Sequence, residues 1–366
     1  MDDDYFSKFE SVEPSVIVLS RENFEAGGFE QLLKTEVISV KDLGDSKLEL
    51  TSRIKRRTEP LFGSFNLAPY STCLSELRTH RPEKIGEVPQ IISDQSKCTF
   101  CPERVEKDTP EPRIHHDLTT PAGRKVISFP NLYPFTQTHL VTVFADHKPD
   151  IIDLTYKDMV NYFASMYEIA ERFKARGAKR MWSFINWGVT AGASQSHPHA
   201  QHGTGFGIEG SLEDRERIAI ESIATNGTDP FEDYMAHMRN SQLFIFENDC
   251  VFITAPYAPR FPDQVDVICK HPAMNILETQ EYRGIMIRSM LGLFHMLRVK
   301  RGVTDLNLVW HQAGFDHDRS KYRLHAHITP RNKNRIAGRE IDGFYVIPVD
   351  PEKTASEGRE WYSRPN

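Results

Sequence analysis

Residues 182–203 read WSFINWGVTAGASQSHPHAQHG, and they end in two closely spaced histidines, His197-Pro198-His199, with an amide at Gln201. On an extended strand side chains alternate with period 2, so His197, His199 and Gln201 share one face. Just upstream, Gly188 and Gly192, with Ala191, Ala193 and Ser194, let a backbone turn approach a ligand closely. Two imidazoles and an amide beside such a turn suit a phosphate ester. One imidazole can attack phosphorus, the amide can hold an oxygen, and N–H groups of the turn can cradle the rest. The chain holds 15 histidines in 366 residues, so clustering by chance is a fair competitor. The spaced pair, the following Gln and the preceding Gly/Ser turn together argue for chemistry instead.

Two further stretches carry chemistry-bearing residues. Cys98-Thr99-Phe100-Cys101 is a C-x-x-C, which alone is open to zinc, a redox pair or coincidence. No second C-x-x-C follows, so a four-cysteine site is excluded, but zinc accepts His nitrogen as well. Farther upstream, Arg53, Lys55, Arg56 and Arg57 precede Pro60-Leu61-Phe62-Gly63, and Arg78-Thr79-His80-Arg81-Pro82 follows. By composition alone this is a solvated basic loop.

These residues need elements to position them. Residues 125–144 are two β-rich runs around a Pro-containing turn. Residues 155–176 have the spacing of an amphipathic helix. Thr155 and Asp158 form a capping-box start, an apolar stripe runs through Met159, Phe163, Met166 and Phe173, and Gly177 is the stop. The pattern then repeats. Residues 251–269 are again two β runs. Residues 279–301 are a helix with Ile285, Ile287, Met290, Leu291, Phe294 and Leu297 expected inward and Gly302 as its stop. Asn307 stands to Asn186, His271 to His147 and His325-Ala326-His327 to His197-Pro198-His199 in the same order. Such agreement is an internal repeat of a strand–strand–helix–strand–strand unit. The second copy has no C-x-x-C and no Gln two residues after its last His, so it is expected to have lost the nucleophile's role. Residues 31–50 could form a helix and a strand.

The run Asn186…Gly192-x-Ser194…His197-Pro198-His199-x-Gln201 resembles the galactose-1-phosphate uridylyltransferase family, a branch of the histidine-triad superfamily. The resemblance covers about residues 52 to 350, with Ala200 where the family has Gly and Glu59 where it has Asn. It implies that His199 is a nucleophile that takes up a nucleoside monophosphate as a phosphoramidate, assisted by Gln201. It implies a closed structural zinc site of Cys98, Cys101, His147 and His197. Nucleotide and substrate contacts are implied for Arg78, Arg81, Phe129, Asn131, Asn186, Gly192, Ser194 and Gln201. Some family members hold a second metal, zinc or iron, and the matching positions here are Glu213, His311, His325 and His327. The tail, residues 335–351, matches the segment that reaches the sugar 1-phosphate in a partner subunit, through Arg339 and Phe344, so a homodimer is implied. Tyr345 stands where the family has a sugar-binding Glu, which puts galactose specifically in doubt.

Composition bounds the rest. The formal net charge is −6 and the sequence pI about 6.2, which gives no global signature of nucleic-acid binding. No apolar run approaches ~18 residues. The acidic start MDDDYFSKFE lacks the basic and apolar regions of a signal peptide, and five cysteines, an odd number, argue for a reducing compartment, so a cytoplasmic protein is expected. The expected fold is α+β, two fused histidine-triad-like repeats forming a continuous, mainly antiparallel sheet with packed helices. The expected divisions are 1–51, an extension without assigned chemistry; 52–235, the first repeat with the catalytic site; and 236–366, the second repeat and tail. The expected activity is nucleotidyl transfer, a UMP by resemblance, between a nucleoside-diphosphate (NDP) sugar and a sugar 1-phosphate. The alternatives are a phosphorylase of NDP-sugars or dinucleoside polyphosphates, and a non-catalytic nucleotide-binding relic.

Overall fold

The computed structural model describes residues 10–20, 39–44, 46–58, 71–75, 98–109, 112–119, 123–131, 138–193, 195–204, 220, 229–273, 275–315, 322–331 and 344–364. Strands β1 (Glu10–Ser20), β2 (Ser39–Gly44), β3 (Lys47–Thr58) and β4 (Ser71–Ser75) open the chain. The first repeat follows: α1 (Pro102–Asp108), β5 (Ile114–Thr119), β6 (Lys125–Pro130), β7 (Thr138–Val143), α2 (Tyr156–Ala175), β8 (Trp182–Trp187) and β9 (His199–Thr204). Next come α3 (Pro230–Arg239), β10 (Phe244–Glu247), β11 (Val251–Thr254), β12 (Val265–Cys269), α4 (Arg283–Arg301), β13 (Leu306–His311) and β14 (His325–Pro330). Strand β15 (Phe344–Ile347) and α5 (Pro351–Tyr362) close it.

The fold is α+β. Among the described residues one antiparallel sheet of ten strands runs β10-β11-β12-β14-β13-β8-β9-β7-β6-β5. Read outward from its centre, β8-β9-β7-β6-β5 mirrors β13-β14-β12-β11-β10, so the repeat seen in the sequence is a repeat in space. The halves join where β13 pairs antiparallel with β8, Asn307 opposite Asn186 and Val309 opposite Phe184. A second sheet runs β1-β3-β4-β15, with β2 also on β3. In it the tail strand β15 lies parallel to β4, Phe344 opposite Ser71. The strand expected within residues 31–50 is present as β2 and the start of β3, while 31–38 lie outside the described residues.

Alternation along each strand decides the two faces of the large sheet. Ile185, Ala200, Leu306, Leu308, Trp310, Ala326 and Ile328 point to one face and join the main apolar cluster with α2 and α4. Helix α2 contributes Met159, Phe163, Met166 and Ile169, all fully buried. Its start is the expected capping box: Thr155 Oγ1 accepts from the Asp158 backbone N–H, and the Asp158 carboxylate accepts from the Thr155 N–H, which stabilises the helix by about 1 kcal/mol. Trp310 Nε1 donates to Tyr162 Oη at 3.1 Å across the helix–sheet contact. Gly302 ends α4 in the left-handed conformation, φ +65°. One core expectation fails. Ile285 is 40% exposed, because the buried stripe of α4 runs through Met286, Met290, Leu293 and Leu297 and leaves Ile285 beyond its edge. No described helix is long and apolar enough to cross a membrane.

The helix-covered face also holds His202, fully buried with Ser183 Oγ 2.9 Å from its Nδ1. Burial pushes its pKa from 6.5 down to about 3. Between those values the unfolded chain binds a proton that the folded chain does not, so stability falls as pH falls through that window. Denaturant titrations at stepped pH should show stability dropping from about pH 6.5 downward, and a His202→Phe chain should show a shallower drop. Equal slopes for the two chains would count against this assignment.

Candidate active site and metal centre

The opposite face of the sheet carries the candidate site. By strand alternation and register, Phe129, His139, His199, Gln201, Asn186, Asn307, His311, His325 and His327 all project there. The reason is physical. A sheet with one face sealed by apolar helices leaves only the other for groups that must meet a ligand.

The C-x-x-C lies at the start of α1, with Cys101 as its N-cap residue. It meets His147, just beyond β7, and His197, just before β9. All four residues are buried, and their ligand atoms lie within 4.8 Å of one another. Cys101 Sγ is 3.5 Å from His147 Nδ1 and 3.7 Å from His197 Nδ1, and Cys98 Sγ is 3.7 Å from His197 Nδ1. A tetrahedral ion bonded to sulfur at about 2.3 Å and to nitrogen at about 2.0 Å would hold such pairs about 3.5 Å apart. The set therefore fits a four-ligand, closed metal site. Protonation states agree with it. Burial, opposed by the hydrogen bond to the Phe144 carbonyl, pushes His197 down to about 4, and burial also lowers His147, so both imidazoles are neutral donors of a lone pair. Burial and the neighbouring Cys98 push the Cys101 thiol up to about 12. A cation is what would allow the Cys101 thiolate to form there.

Two hydrogen bonds give the motif histidines different free nitrogens. His197 Nε2–H donates to the Phe144 carbonyl at 2.5 Å, which leaves Nδ1 for the cysteine side. His199 Nδ1–H donates to the His197 carbonyl at 2.9 Å, which leaves the lone pair on Nε2. Burial lowers the His199 pKa, so the ring is neutral. Phe100 of the C-x-x-C packs edge-on against the His199 ring at 5.4 Å and tilts against Phe129, also at 5.4 Å. Phe129 is thus buried in a small apolar cluster with Val105, Ile127, Val141 and Val143. Gln201 Oε1 lies 2.8 Å from His139 Nε2 and 3.4 Å from Asn131 Nδ2, so Asn131 is brought to the amide.

The glycine turn is held from the second repeat. Gly188 has φ +84°, and a Cβ there would run into the Asp305 carboxylate. That carboxylate accepts from Thr190 N at 2.8 Å and Thr190 Oγ1 at 2.7 Å. Asn307 Nδ2 donates to Asn186 Oδ1 at 2.7 Å and to the Ala191 carbonyl at 2.8 Å. Gly192 follows in the left-handed conformation. Neither Asp305 nor His139 stood out in the sequence. Asp305 aligns with apolar Phe184 in the repeat, which was the available signal. His139 shows its relation to Gln201 only once β7 and β9 are in register.

His311, His325 and His327 form a second buried group of potential metal ligands, again within 4.8 Å of one another. His325 Nδ1–H donates to the Arg323 carbonyl at 2.9 Å and His327 Nδ1–H to Asp266 Oδ1 at 2.7 Å, which turns both Nε2 atoms to the ligand side. Of the other expected site residues, Arg78, Arg81, Ser194, Glu213 and Arg339 lie outside the described residues, and Phe344 is placed by its backbone in β15. His271 is exposed and packs on Tyr282 at 4.6 Å, away from the second histidine group. A Ser128–His116–Glu168 chain, with both links at 2.7 Å, has the geometry of a hydrolytic triad. Ser128 is fully buried on the helix-covered face, so the chain ties β5 and β6 to α2 and reaches no substrate.

No protein-family model matches the sequence, and no curated protein gives a match. Solved structures match in fold. An ADP-glucose phosphorylase from Arabidopsis thaliana, solved with bound ADP-glucose, has a TM-score of 0.68 at 18% identity, over 84% of this chain and 99% of that one. A GalT-like protein from Arabidopsis thaliana has a TM-score of 0.61 at 18% identity, over 72% of this chain and 91% of that one. A uridylyltransferase has a TM-score of 0.61 at 19% identity, over 73% and 91%. What this chain shares with them at such identities is the fold.

Two measurements follow from this geometry. Elemental analysis should find at least one metal ion per chain, and Cys101→Ser should lower both that content and the melting temperature. Asp305→Ala removes two hydrogen bonds to a charged acceptor, each contributing about 1.5–3 kcal/mol, and should loosen the turn while leaving metal content unchanged. Metal loss in the Asp305 variant, or full metal in the Cys101 variant, would contradict this division of labour.

Proposed function

We propose that the chain is a nucleotidyltransferase acting on NDP-sugars through a covalent nucleotidyl-histidine at His199. The observation that carries the reading is the His199 Nδ1–H bond to the His197 carbonyl, which turns the Nε2 lone pair outward on the same sheet face as the Gln201 amide. In the first step Nε2 forms a bond to the α-phosphorus, and the bond from phosphorus to the bridging oxygen breaks. That oxygen leaves with its electron pair as part of a sugar 1-phosphate. In the second step a phosphate oxygen of an acceptor attacks phosphorus, the N–P bond breaks, and neutral His199 returns. Leaving and entering groups are both phosphates of low pKa, so neither step demands a strong general acid. The Gln201 amide would donate to a nonbridging oxygen as charge builds. Asn131 and Phe129, with Arg78, Arg81 and Ser194, are the proposed nucleotide and phosphate contacts.

Cys98, Cys101, His147 and His197 would hold a zinc ion whose role is structural. With four protein ligands it has no open position, and it would supply cross-linking of α1, β7 and β9 rather than reaction chemistry. His311, His325 and His327, with Glu213, are the proposed second metal set. The tail around Arg339 and Phe344 would complete a neighbour's sugar-phosphate site in a homodimer.

The acceptor we favour is a sugar 1-phosphate, with UMP as the transferred group. The fold likeness to an ADP-glucose phosphorylase supports a second reading, in which inorganic phosphate is the acceptor and the base is adenine. Intact-protein mass spectrometry separates these readings. UDP-glucose or ADP-glucose should add one nucleoside monophosphate to the chain, and the gain should vanish in His199→Gly while its metal stays. Free imidazole should restore part of the turnover in that variant by filling the vacated space. Discharge of the labelled chain by sugar 1-phosphates supports the transferase, and discharge by phosphate alone supports the phosphorylase. No mass gain from any NDP-sugar or dinucleoside polyphosphate would leave only a non-catalytic binding protein.

A further inference from the structure

His139 is absent from every motif that marks the site, yet it touches the amide at its centre. It sits on β7, opposite Gly203 of β9, and Gly203 in turn lies opposite Trp182 of β8. With no side chain at Gly203, the rings of His139 and Trp182 meet edge-to-face over the middle strand, 5.0 Å apart. The imidazole is almost wholly buried. Its Nε2 faces Gln201 Oε1 at 2.8 Å.

That contact bears on which end of the Gln201 amide faces the cleft. A carboxamide has nearly the same shape in its two orientations, and only hydrogen bonding distinguishes them. The structure places the carbonyl end of Gln201, not its NH2, at 2.8 Å, and there an unprotonated Nε2 would set a lone pair against the Oε1 lone pairs, so this placement requires Nε2 to carry the hydrogen and donate. Asn131 Nδ2 lies 3.4 Å from the same oxygen and 3.2 Å from Nε2. With the ring hydrogen aimed at Gln201, the Asn131 amide hydrogen goes to the shared carbonyl, which has two lone pairs to accept both. Two donors on the inner side hold Oε1 inward and leave the Gln201 NH2 as the outward group. The reverse orientation would present a carbonyl oxygen to the negative phosphate oxygens. Burial lowers the pKa of His139, so the ring is neutral and has a single N–H to place.

We infer that His139 is a positioning residue: its Nε2–H fixes the Gln201 carboxamide with the NH2 toward the transferred phosphoryl group. This rests on the reading of the site as a nucleotidyl-transfer centre. His139 itself need not touch substrate, and its effect should run through Gln201 alone.

A double-mutant cycle on single-turnover nucleotidylation tests this, read by rapid quench and mass spectrometry with UDP-glucose and ADP-glucose as donors. Gln201→Ala should slow labelling by about 100- to 1000-fold, as loss of a transition-state donor does. His139→Leu alone should slow it by about 10-fold or more, with donor concentration at half-saturation nearly unchanged, but by less than about 2-fold once residue 201 is Ala. His139→Gln places an N–H near the position of Nε2 and should stay within about 3-fold of the wild-type chain, with the same metal content. Equal losses from His139→Leu in both backgrounds, or none in either, would overturn the inference while leaving the nucleotidyl-transfer reading intact. If His139→Leu fails to fold, His139→Gln against His139→Met makes the same comparison. A wild-type chain that takes up no nucleotidyl group overturns the reading and this inference together.

Discussion

The antiparallel pairing of β13 with β8 is the joint on which the rest of the molecule depends. It makes one sheet of two half-sheets, and it does so in a register that sets Asn307 opposite Asn186. From that register Asn307 bridges Asn186 Oδ1 and the Ala191 carbonyl, while Asp305 holds Thr190 and fills the space a Gly188 side chain would need. A slip of one residue would turn Trp310 out of the core and carry Asn307 to the helix-covered face. The glycine turn beside His199 would then lose its acceptor and its donor together. The second repeat thus supports the first one's turn even though it lacks the C-x-x-C and the Gln.

Much of this was legible in the sequence, and the reasons differ from element to element. Helix α2 was readable because Thr155, Asp158, the apolar stripe and Gly177 all agree locally. The two hairpins around Pro and the repeat were readable because order and spacing survive divergence. The C-x-x-C stood out because cysteine is scarce and chemically specific, and the family resemblance joined His147 and His197 to it. What escaped was whatever depends on register between strands far apart in sequence. His139 looks like one polar residue in the β run Thr138–Val143, and nothing local points it at Gln201, 62 residues away. Asp305 looks like the polar start of a strand until β13 is laid beside the turn it caps. Ile285 was misassigned for the opposite reason. An apolar residue at the margin of a helical stripe is decided by what packs beside it, which periodicity does not contain.

The motif histidines show how neighbouring backbone can give two identical side chains different free nitrogens. His197 and His199 project to one side, and both are neutral through burial. They are separated by which nitrogen holds the hydrogen. The Phe144 carbonyl takes Nε2–H of His197, and the His197 carbonyl takes Nδ1–H of His199. One ring is left with Nδ1 toward the two cysteines, the other with Nε2 toward the cleft. The second bond also makes the pair a unit, since the backbone that the metal ligand fixes is the acceptor that orients the neighbouring ring. Loosening His197 would misplace the acceptor for His199, so a variant at His197 is expected to disturb both positions.

The second repeat turns the same arrangement to another use. His325, which stands at the place of His197, gives its Nδ1–H to the Arg323 carbonyl two residues before it, a bond that in the first repeat belongs to His199. His327 instead gives its Nδ1–H to the buried Asp266 carboxylate, whose pKa is held down by the adjacent His327 against the cost of burial. A carboxylate behind an imidazole fixes the tautomer and raises the basicity of the far nitrogen, which suits a ligand. Two residues on, where the first repeat has Gln201, the second has Thr329, whose hydroxyl faces the Asn307 carbonyl at 3.4 Å. The position that would steady a phosphoryl oxygen in one repeat is occupied with strand pairing in the other. A duplicated unit has in this way kept its sheet and its histidine spacing while the partners behind the rings changed, and under the proposed function those partners are what would separate a nucleophile from a ligand at this place.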